Sequence, residues 1–308
     1  MDTTVFVALA DLIDNSDARA ALERSFSTVV VATARERAVS ELTALGDAVD
    51  AAVVGVKERI DAEVLVALPR LRAVGSVGAG TDHLDLVALA DRGVQVVTTP
   101  GVNAVSVAEH ALMMILALAK RALSAHAAVV AGEDRAGMLD PPVEVRGRRV
   151  GVLGAGATAR ALIPLLRALG MHTVVWTRRP ERHPDLPTAG LEEIFGGCDI
   201  VTVHLPLTPQ TRGLVDARLL RMLPPGALVV NVARKEIFDS DGLRAVVTER
   251  PDLRFAVDDF ELADDGTVAA VGHRGLWSPH MAGVTVEALA AMQQLAVRGV
   301  VQAVSGPC

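Results

Sequence analysis

One stretch limits the fold more than any other. Val150 to Arg179 reads VGVLGAGATARALIPLLRALGMHTVVWTRR. The apolar run Val150–Leu153 leads into Gly154-Ala155-Gly156-Ala157-Thr158-Ala159. An amphipathic helical pattern then runs to Leu169, stops at Gly170, and gives way to a second apolar run, Thr173–Thr177. Strand, glycine turn, helix and strand in this order form a dinucleotide-binding unit, with Ala159 in the third glycine slot. Gly154 permits the tight turn and Gly156 lets the backbone approach a pyrophosphate. Ala159 lets the helix lie close to the strand, and the helix N-terminus offers free N–H groups to phosphate. The pyrophosphate loop is therefore expected at Gly154, Ala155, Gly156, Ala157 and Thr158.

The end of the second run bears on which dinucleotide binds. An Asp or Glu there holds the ribose 2′-hydroxyl of NAD. This chain has Thr177 followed by Arg178 and Arg179. A hydroxyl and two guanidinium groups suit a 2′-phosphate, because arginine pairs bidentately with phosphate. NADP(H) is expected in preference to NAD(H), which stays open. The alternative is a solvated Arg-Arg turn ahead of Pro180.

Outside this unit, strand-like runs alternate with helical patterns on both sides. Val5–Leu9, Thr28–Val31, Ala52–Val56, Arg72–Gly75 and Val94–Val97 read as strands. Asp17–Arg24, Glu36–Leu45, Ala62–Ala67 and Asp85–Asp91 read as helices. Such alternation with short connections predicts a parallel sheet covered on both faces. The glycine-rich loop Gly75–Asp85 either turns backbone N–H groups toward an anion or is a β-α connection. A long apolar helix is expected from Ala104 to about Ala122, with Glu109 and His110 read as buried structural hydrogen-bonders. Ala125–Arg149 reads as an irregular arm. Past the nucleotide unit, Ile200–Val203, Ala227–Asn231, Phe255–Val257 and Gly275–Trp277 read as strands, and a closing helix is expected over Val284–Val304. His204, Arg234, Asp258 and His280 then stand just past strand C-termini, the edge at which open parallel sheets bind ligands.

Composition excludes several classes. The chain has 308 residues, enough for two domains. Cys198 and Cys308 are its only cysteines, so neither a disulfide framework nor a cysteine-rich zinc site is implied and no metal is expected; a reducing cytoplasm fits. A net charge of −7 without a basic stripe argues against nucleic acid. Ala104–Ala119 is too short and too charged at its ends for a membrane span, and no basic segment precedes the first apolar residues as in a secretory signal.

Taken together, GAGTDHLD at Gly78–Asp85, TPGVNAVSVAEH at Thr99–His110, VGVLGAGATA at Val150–Ala159, HLPLTPQTRGL at His204–Leu214, LPPGALVVNVAR at Leu223–Arg234 and SPHMAG at Ser278–Gly283 resemble the D-isomer-specific 2-hydroxyacid dehydrogenase family over nearly the whole chain. The resemblance implies two α/β parallel-sheet domains of Rossmann or flavodoxin-like type. A substrate domain (1–99 and 283–308) would carry the nucleotide domain (100–282) as an insertion, and members pair as dimers through the latter. It implies hydride exchange between a nicotinamide and C2 of a small 2-oxo or 2-hydroxy acid, of the glyoxylate or hydroxypyruvate type. Arg234 would grip the substrate and His280 would act as acid/base. The backbone at Val77, Gly78 and Ala79 would hold the substrate carboxylate. Asp258 would anchor the carboxamide, and His204, Pro206, Val232 and Ala233 would line the cofactor cleft.

The chain departs from the family pattern in two places. Ala263 occupies the slot of a Glu that normally pairs with the catalytic His, and without it the imidazolium loses stabilisation and its tautomer is less fixed. Asp264 or Glu261 could substitute. Lys235 stands where Gly is usual and either faces solvent or adds charge for a doubly anionic substrate such as a phosphonate. Ala263 also keeps open a non-catalytic, nucleotide-sensing role like that of corepressor relatives.

Overall fold

The computed structural model describes residues 2–135, 141–258 and 266–305. By packing, the chain divides into two units, Met1–Asn103 with Val284–Cys308, and Ala104–Gly283.

The first unit alternates β1 (Thr4–Val7), α1 (Ser16–Ser25), β2 (Thr28–Val31), α2 (Ala38–Ala44), β3 (Ala51–Val54), α3 (Ala62–Val66), β4 (Ala73–Ser76), α4 (Leu86–Asp91) and β5 (Gln95–Val97). Its strands form a five-stranded sheet of order β2-β1-β3-β4-β5. Every pairing is parallel. The central strands β3 and β4 are fully buried and, Ser76 apart, carry no polar side chain, as a sheet covered by helices on each side requires. Side-chain caps fix several helix starts: Asn15, Asp61 and Asp85 accept from the third residue onward.

The second unit opens with α5 (Ala104–Lys120) and α6 (Ala122–Val130). It continues through β6 (Arg149–Leu153), α7 (Ala157–Ala168), β7 (His172–Trp176), α8 (Leu191–Gly197), β8 (Ile200–Val203), α9 (Ala217–Met222), β9 (Leu228–Asn231), α10 (Ser240–Glu249), β10 (Arg254–Val257), α11 (Thr267–Val271) and β11 (Gly275–Trp277). Its six strands run β11-β10-β9-β8-β6-β7, again all parallel. The strand order reverses between β6 and β8, and such a switch point opens a crevice at the C-terminal edge of the sheet. The last helix, α12 (Val286–Ser305), belongs to the first unit and packs on β3, β4 and β5. A Cβ on Gly75 would lie 2.6 Å from Val300, and one on Gly299 would lie 2.3 Å from Val97, so glycine on each side sets this close approach.

Three expectations need correction. The long apolar helix ends at Lys120, because Arg121 adopts a left-handed conformation (φ 57°) and bends the chain. The segment read as an irregular arm from Ala125 begins inside a helix, α6. None of its residues is buried, so its sequence carries no amphipathic period to read. Glu109 is exposed rather than buried. No single helix among the described residues is long and apolar enough to cross a membrane. The α5–α6 pair passes only jointly and is bent by 59°. The apolar face of α5 is used inside its own unit, where Ala108, Ala111, Met114 and Ile115 are fully buried.

Candidate active site

The C-terminal edge of the second sheet collects the polar residues that the sequence separates widely. Gly154 follows β6, His204 follows β8, Arg234 follows β9, Asp258 follows β10 and His280 follows β11.

At the switch point, Gly154 has φ +114°, and a Cβ there would lie 2.6 Å from the His204 carbonyl oxygen. Both conformation and space demand glycine. Ala159 is fully buried, which lets α7 lie against the sheet. Gly156, the N-cap of α7, differs: its φ is ordinary (−74°) and no side chain caps the helix. A Cβ on Gly156 would meet nothing within 4 Å, so neither backbone geometry nor packing within the chain requires glycine there. Open space over an uncapped helix N-terminus fits a pyrophosphate laid against the backbone. Ala157 is exposed and Thr158 half-buried at the same turn, and Ala155 sits beneath it.

His204 bonds Thr202 through Nε2 (2.9 Å to Oγ1), while its enclosed Nδ1 has no partner among the described residues. Burial pushes the His204 imidazole down to about 3, so the ring is neutral near pH 7. A neutral ring with an orphaned nitrogen beside the glycine turn suits a neutral hydrogen-bonding group of a bound molecule. Pro206 is exposed, its carbonyl accepting from Thr211 Oγ1 at 2.6 Å. At the end of β7, Thr177 Oγ1 accepts from the Arg179 N–H (3.4 Å), and both Arg178 and Arg179 are exposed.

The Arg234 loop is held by a residue that the motif reading passed over. Asn231, fully buried at the end of β9, accepts from the Ala233 N–H (2.9 Å) and donates from Nδ2 to the Arg234 carbonyl (2.8 Å). Arg234 Nη1 donates to the Ala233 carbonyl at 2.9 Å, which directs the guanidinium further. Val232 is buried and Ala233 half-buried within this turn.

Asp258 pins the turn after β11 in the same way. Its Oδ1 accepts from the Ser278 hydroxyl (2.5 Å) and the Met281 N–H (2.9 Å), and its Oδ2 accepts from the Ala282 N–H (2.7 Å). These bonds clamp the 278–282 turn, in which His280 adopts the left-handed conformation (φ 56°). His110 on α5 joins the cluster, its Nε2 lying 3.0 Å from Ser278 Oγ and 3.7 Å from Asp258 Oδ1. The only sequence signal for this clamp was a polar residue closing each apolar run. Asp264 and Glu261, the candidate replacements for the carboxylate missing at Ala263, lie outside the described residues.

In the first unit, Val77 and Gly78 are buried and Ala79 is exposed, past the C-terminal end of β4. The Val77 N–H already donates to the Val54 carbonyl (2.8 Å), leaving the Gly78 and Ala79 N–H groups as this loop's donors. Among the described residues no three His, Cys, Asp or Glu side chains are grouped to hold a metal ion.

A glycine turn at the switch point of a parallel sheet, with a guanidinium and an imidazole on the same edge, defines an α/β scaffold of the dinucleotide-binding class. Residues 112–282 match the model for the NAD binding domain of D-isomer specific 2-hydroxyacid dehydrogenases. The chain is 34% identical to the (S)-sulfolactate dehydrogenase of Chromohalobacter salexigens, over 91% of this chain and 92% of that one. It is also 34% identical to the erythronate-4-phosphate dehydrogenase of Ectopseudomonas mendocina, over 71% of this chain. The curated relatives first matched are longer, and the chain spans 53% and 38% of their lengths. Among solved structures, the TT0316 protein of Thermus thermophilus superposes with a TM-score of 0.86 at 26% identity, covering 99% of this chain and 97% of that one. The chain belongs to the D-isomer specific 2-hydroxyacid dehydrogenase family, and its second unit carries the nicotinamide-dinucleotide domain.

Proposed function

We propose that the protein interconverts a small 2-oxo acid and its 2-hydroxy acid using a nicotinamide dinucleotide. One observation carries this reading: Arg234 and His280 stand on the sheet edge that bears the glycine turn, each on a turn pinned by a buried polar residue, Asn231 and Asp258. The nicotinamide, when bound, supplies or accepts the hydride. Arg234 holds the substrate carboxylate and stabilises the negative charge growing on the C2 oxygen during reduction. His280 donates a proton to that oxygen, and removes it in the reverse direction. Taken by itself, the first unit offers the Gly78 and Ala79 N–H groups to an anion. The carboxamide of a bound nicotinamide would donate to Asp258 Oδ2, which among the described residues accepts only from the Ala282 N–H. Turnover of glyoxylate, hydroxypyruvate and pyruvate with reduced nicotinamide, followed by absorbance, tests this reading; no oxidation with any 2-oxo acid contradicts it.

The cofactor is NADP(H) in preference to NAD(H). Support comes from Thr177 in place of a carboxylate and from two exposed arginines directly after it. Loss of charge-assisted bonds to a 2′-phosphate costs about 10-fold or more per arginine. The double variant Arg178→Gln/Arg179→Gln is expected to raise the KM for NADPH about 100-fold and leave that for NADH within about twofold. Equal effects on both cofactors would show that the arginines form a solvated turn.

The protein acts as a homodimer joined through α5 and α6. No residue of α6 is buried, yet Leu123, Val129 and Val130 on it, with Val105 and Met113 on α5, are exposed apolar side chains. Covering each is worth about 1.5–3 kcal/mol, and a second copy of this face would supply the cover. Sedimentation equilibrium is expected to give twice the 32.2 kDa chain mass, and the pair Val129→Glu/Val130→Glu to give the monomer. A monomeric wild-type protein contradicts the dimer.

A further inference from the structure

One imidazole of the second unit has no part in the reading above. The helix α5 packs on β9, β10 and β11, and from it His110 reaches the turn that carries His280. His110 Nε2 lies 3.0 Å from Ser278 Oγ and 3.7 Å from Asp258 Oδ1. Ser278 and Asp258 are buried, and the His110 side chain is 14% exposed.

Proton counting fixes the direction of these bonds. Both Asp258 oxygens accept from backbone N–H groups, Oδ1 from Met281 and Oδ2 from Ala282, as an ionised carboxylate does. The Ser278 hydroxyl, 2.5 Å from Oδ1, is the donor in the bond between them. A hydroxyl has one proton, so toward His110 the Ser278 oxygen can only accept. His110 Nε2 therefore carries a proton, whether the ring is neutral or charged. The three groups form a relay that runs one way, from His110 to Ser278 to Asp258.

The relay is not what holds the backbone. The Asp258 N–H donates to the Asn231 carbonyl (2.8 Å), the Ser278 N–H to the Val257 carbonyl (3.1 Å) and the His280 N–H to the Ser278 carbonyl (3.0 Å). The bonds from Met281 and Ala282 to Asp258 also bypass the imidazole. What these bonds leave loose is the hydroxyl rotor of Ser278. With a donor on one side, the rotor keeps its proton on Asp258 Oδ1. Without that donor the proton can turn away, and the pull that fixes the plane of the carboxylate is lost.

We infer that His110 is a positioning residue: through the Ser278 hydroxyl it sets the Asp258 carboxylate, and with it the acceptor Oδ2 offered to a nicotinamide carboxamide. The purpose of the relay rests on the proposed nicotinamide reading, its geometry does not, and the test separates the two. In ligand-free wild-type protein, long-range ¹⁵N–¹H correlation of the imidazoles, assigned with His110→Gln, is expected to show His110 with a proton on Nε2. An unprotonated Nε2 overturns the inference.

Binding is then measured by calorimetry with NADPH or NADH, whichever binds more tightly, and with its 3-acetylpyridine analogue, in which a methyl replaces the amide nitrogen. His110→Leu is expected to weaken binding of the natural cofactor about 5- to 30-fold and that of the analogue by no more than about twofold. His110→Gln keeps a donor toward Ser278 and should bind within about threefold of wild type. Ser278→Ala should reproduce the loss in His110→Leu, and the double variant should add nothing to it, because both break one relay. Equal losses for both cofactors, unaltered binding in folded His110→Leu, or additive losses overturn the inference and leave His110 as a structural hydrogen-bonder. Where His110→Leu does not fold, the comparison of Ser278→Ala with His110→Gln decides in the same way. Failure of wild-type protein to bind any dinucleotide contradicts the nicotinamide reading instead, and the protonation of Nε2 then decides on the relay alone.

Discussion

Replacing His280 by Asn is expected to lower kcat/KM for 2-oxo acid reduction by about 10²- to 10⁴-fold, the range that a positioned acid/base contributes. The fold is expected to survive. His280 adopts φ 56°, a region that costs most side chains about 1–2 kcal/mol and that Asn visits readily. The variant should therefore unfold at the same temperature as the wild type or a few degrees higher, and bind NADPH with unchanged affinity. The Asp258 clamp explains how the strained turn persists. Its bonds run to Ser278 Oγ and to the backbone of Met281 and Ala282, so none depends on the imidazole. A variant that loses both activity and melting temperature would mark His280 as structural. One that keeps activity would remove it from the chemistry.

The second large effect is expected at Arg234. Arg234→Lys retains a positive charge but loses the planar fork, and should cost about 10²- to 10³-fold in kcat/KM, the cost of removing a donor aimed at developing charge. The loss should appear in single-turnover reduction as well as in KM, because the carboxylate is held in the ground state and the C2 oxygen charges only as reaction proceeds. NADPH affinity, read by fluorescence titration, should be unchanged. Unaltered turnover by Arg234→Lys would show that a point charge suffices there, and would remove the argument for bidentate recognition.

Much of this architecture is legible in the sequence for physical reasons that can be named. Ile200–Val203 is found at the bounds read for it and the run read as Ala227–Asn231 is found as Leu228–Asn231, because strands buried on both faces are written as short continuous apolar runs. The glycine turn is legible because Gly154 alone tolerates both its φ and the approach of the His204 carbonyl. The α6 helix is not legible. It buries no residue, so it has no periodicity, and the break at Arg121 is a backbone event that no residue in that stretch announces. The supports of the site are hidden for another reason. His110 meets Ser278 across 168 residues, and Asp258 meets Ala282 across 24. Only strand order brings such groups together, and strand order is not written locally. The residue types of the candidate site could be read one by one, whereas the bonds that aim them required the fold.

The most direct test of the central claim follows the hydride itself. Reduced cofactor carrying deuterium at both C4 positions is incubated with the protein and 2-oxo acids, and the products are examined by mass spectrometry and proton NMR. The account predicts one deuterium on C2 of the 2-hydroxy acid in wild-type protein, with formation slowed by at least about 10²-fold in His280→Asn and Arg234→Lys. A 2-hydroxy acid carrying protium at C2, or no labelled acid from any substrate despite cofactor binding, would contradict it.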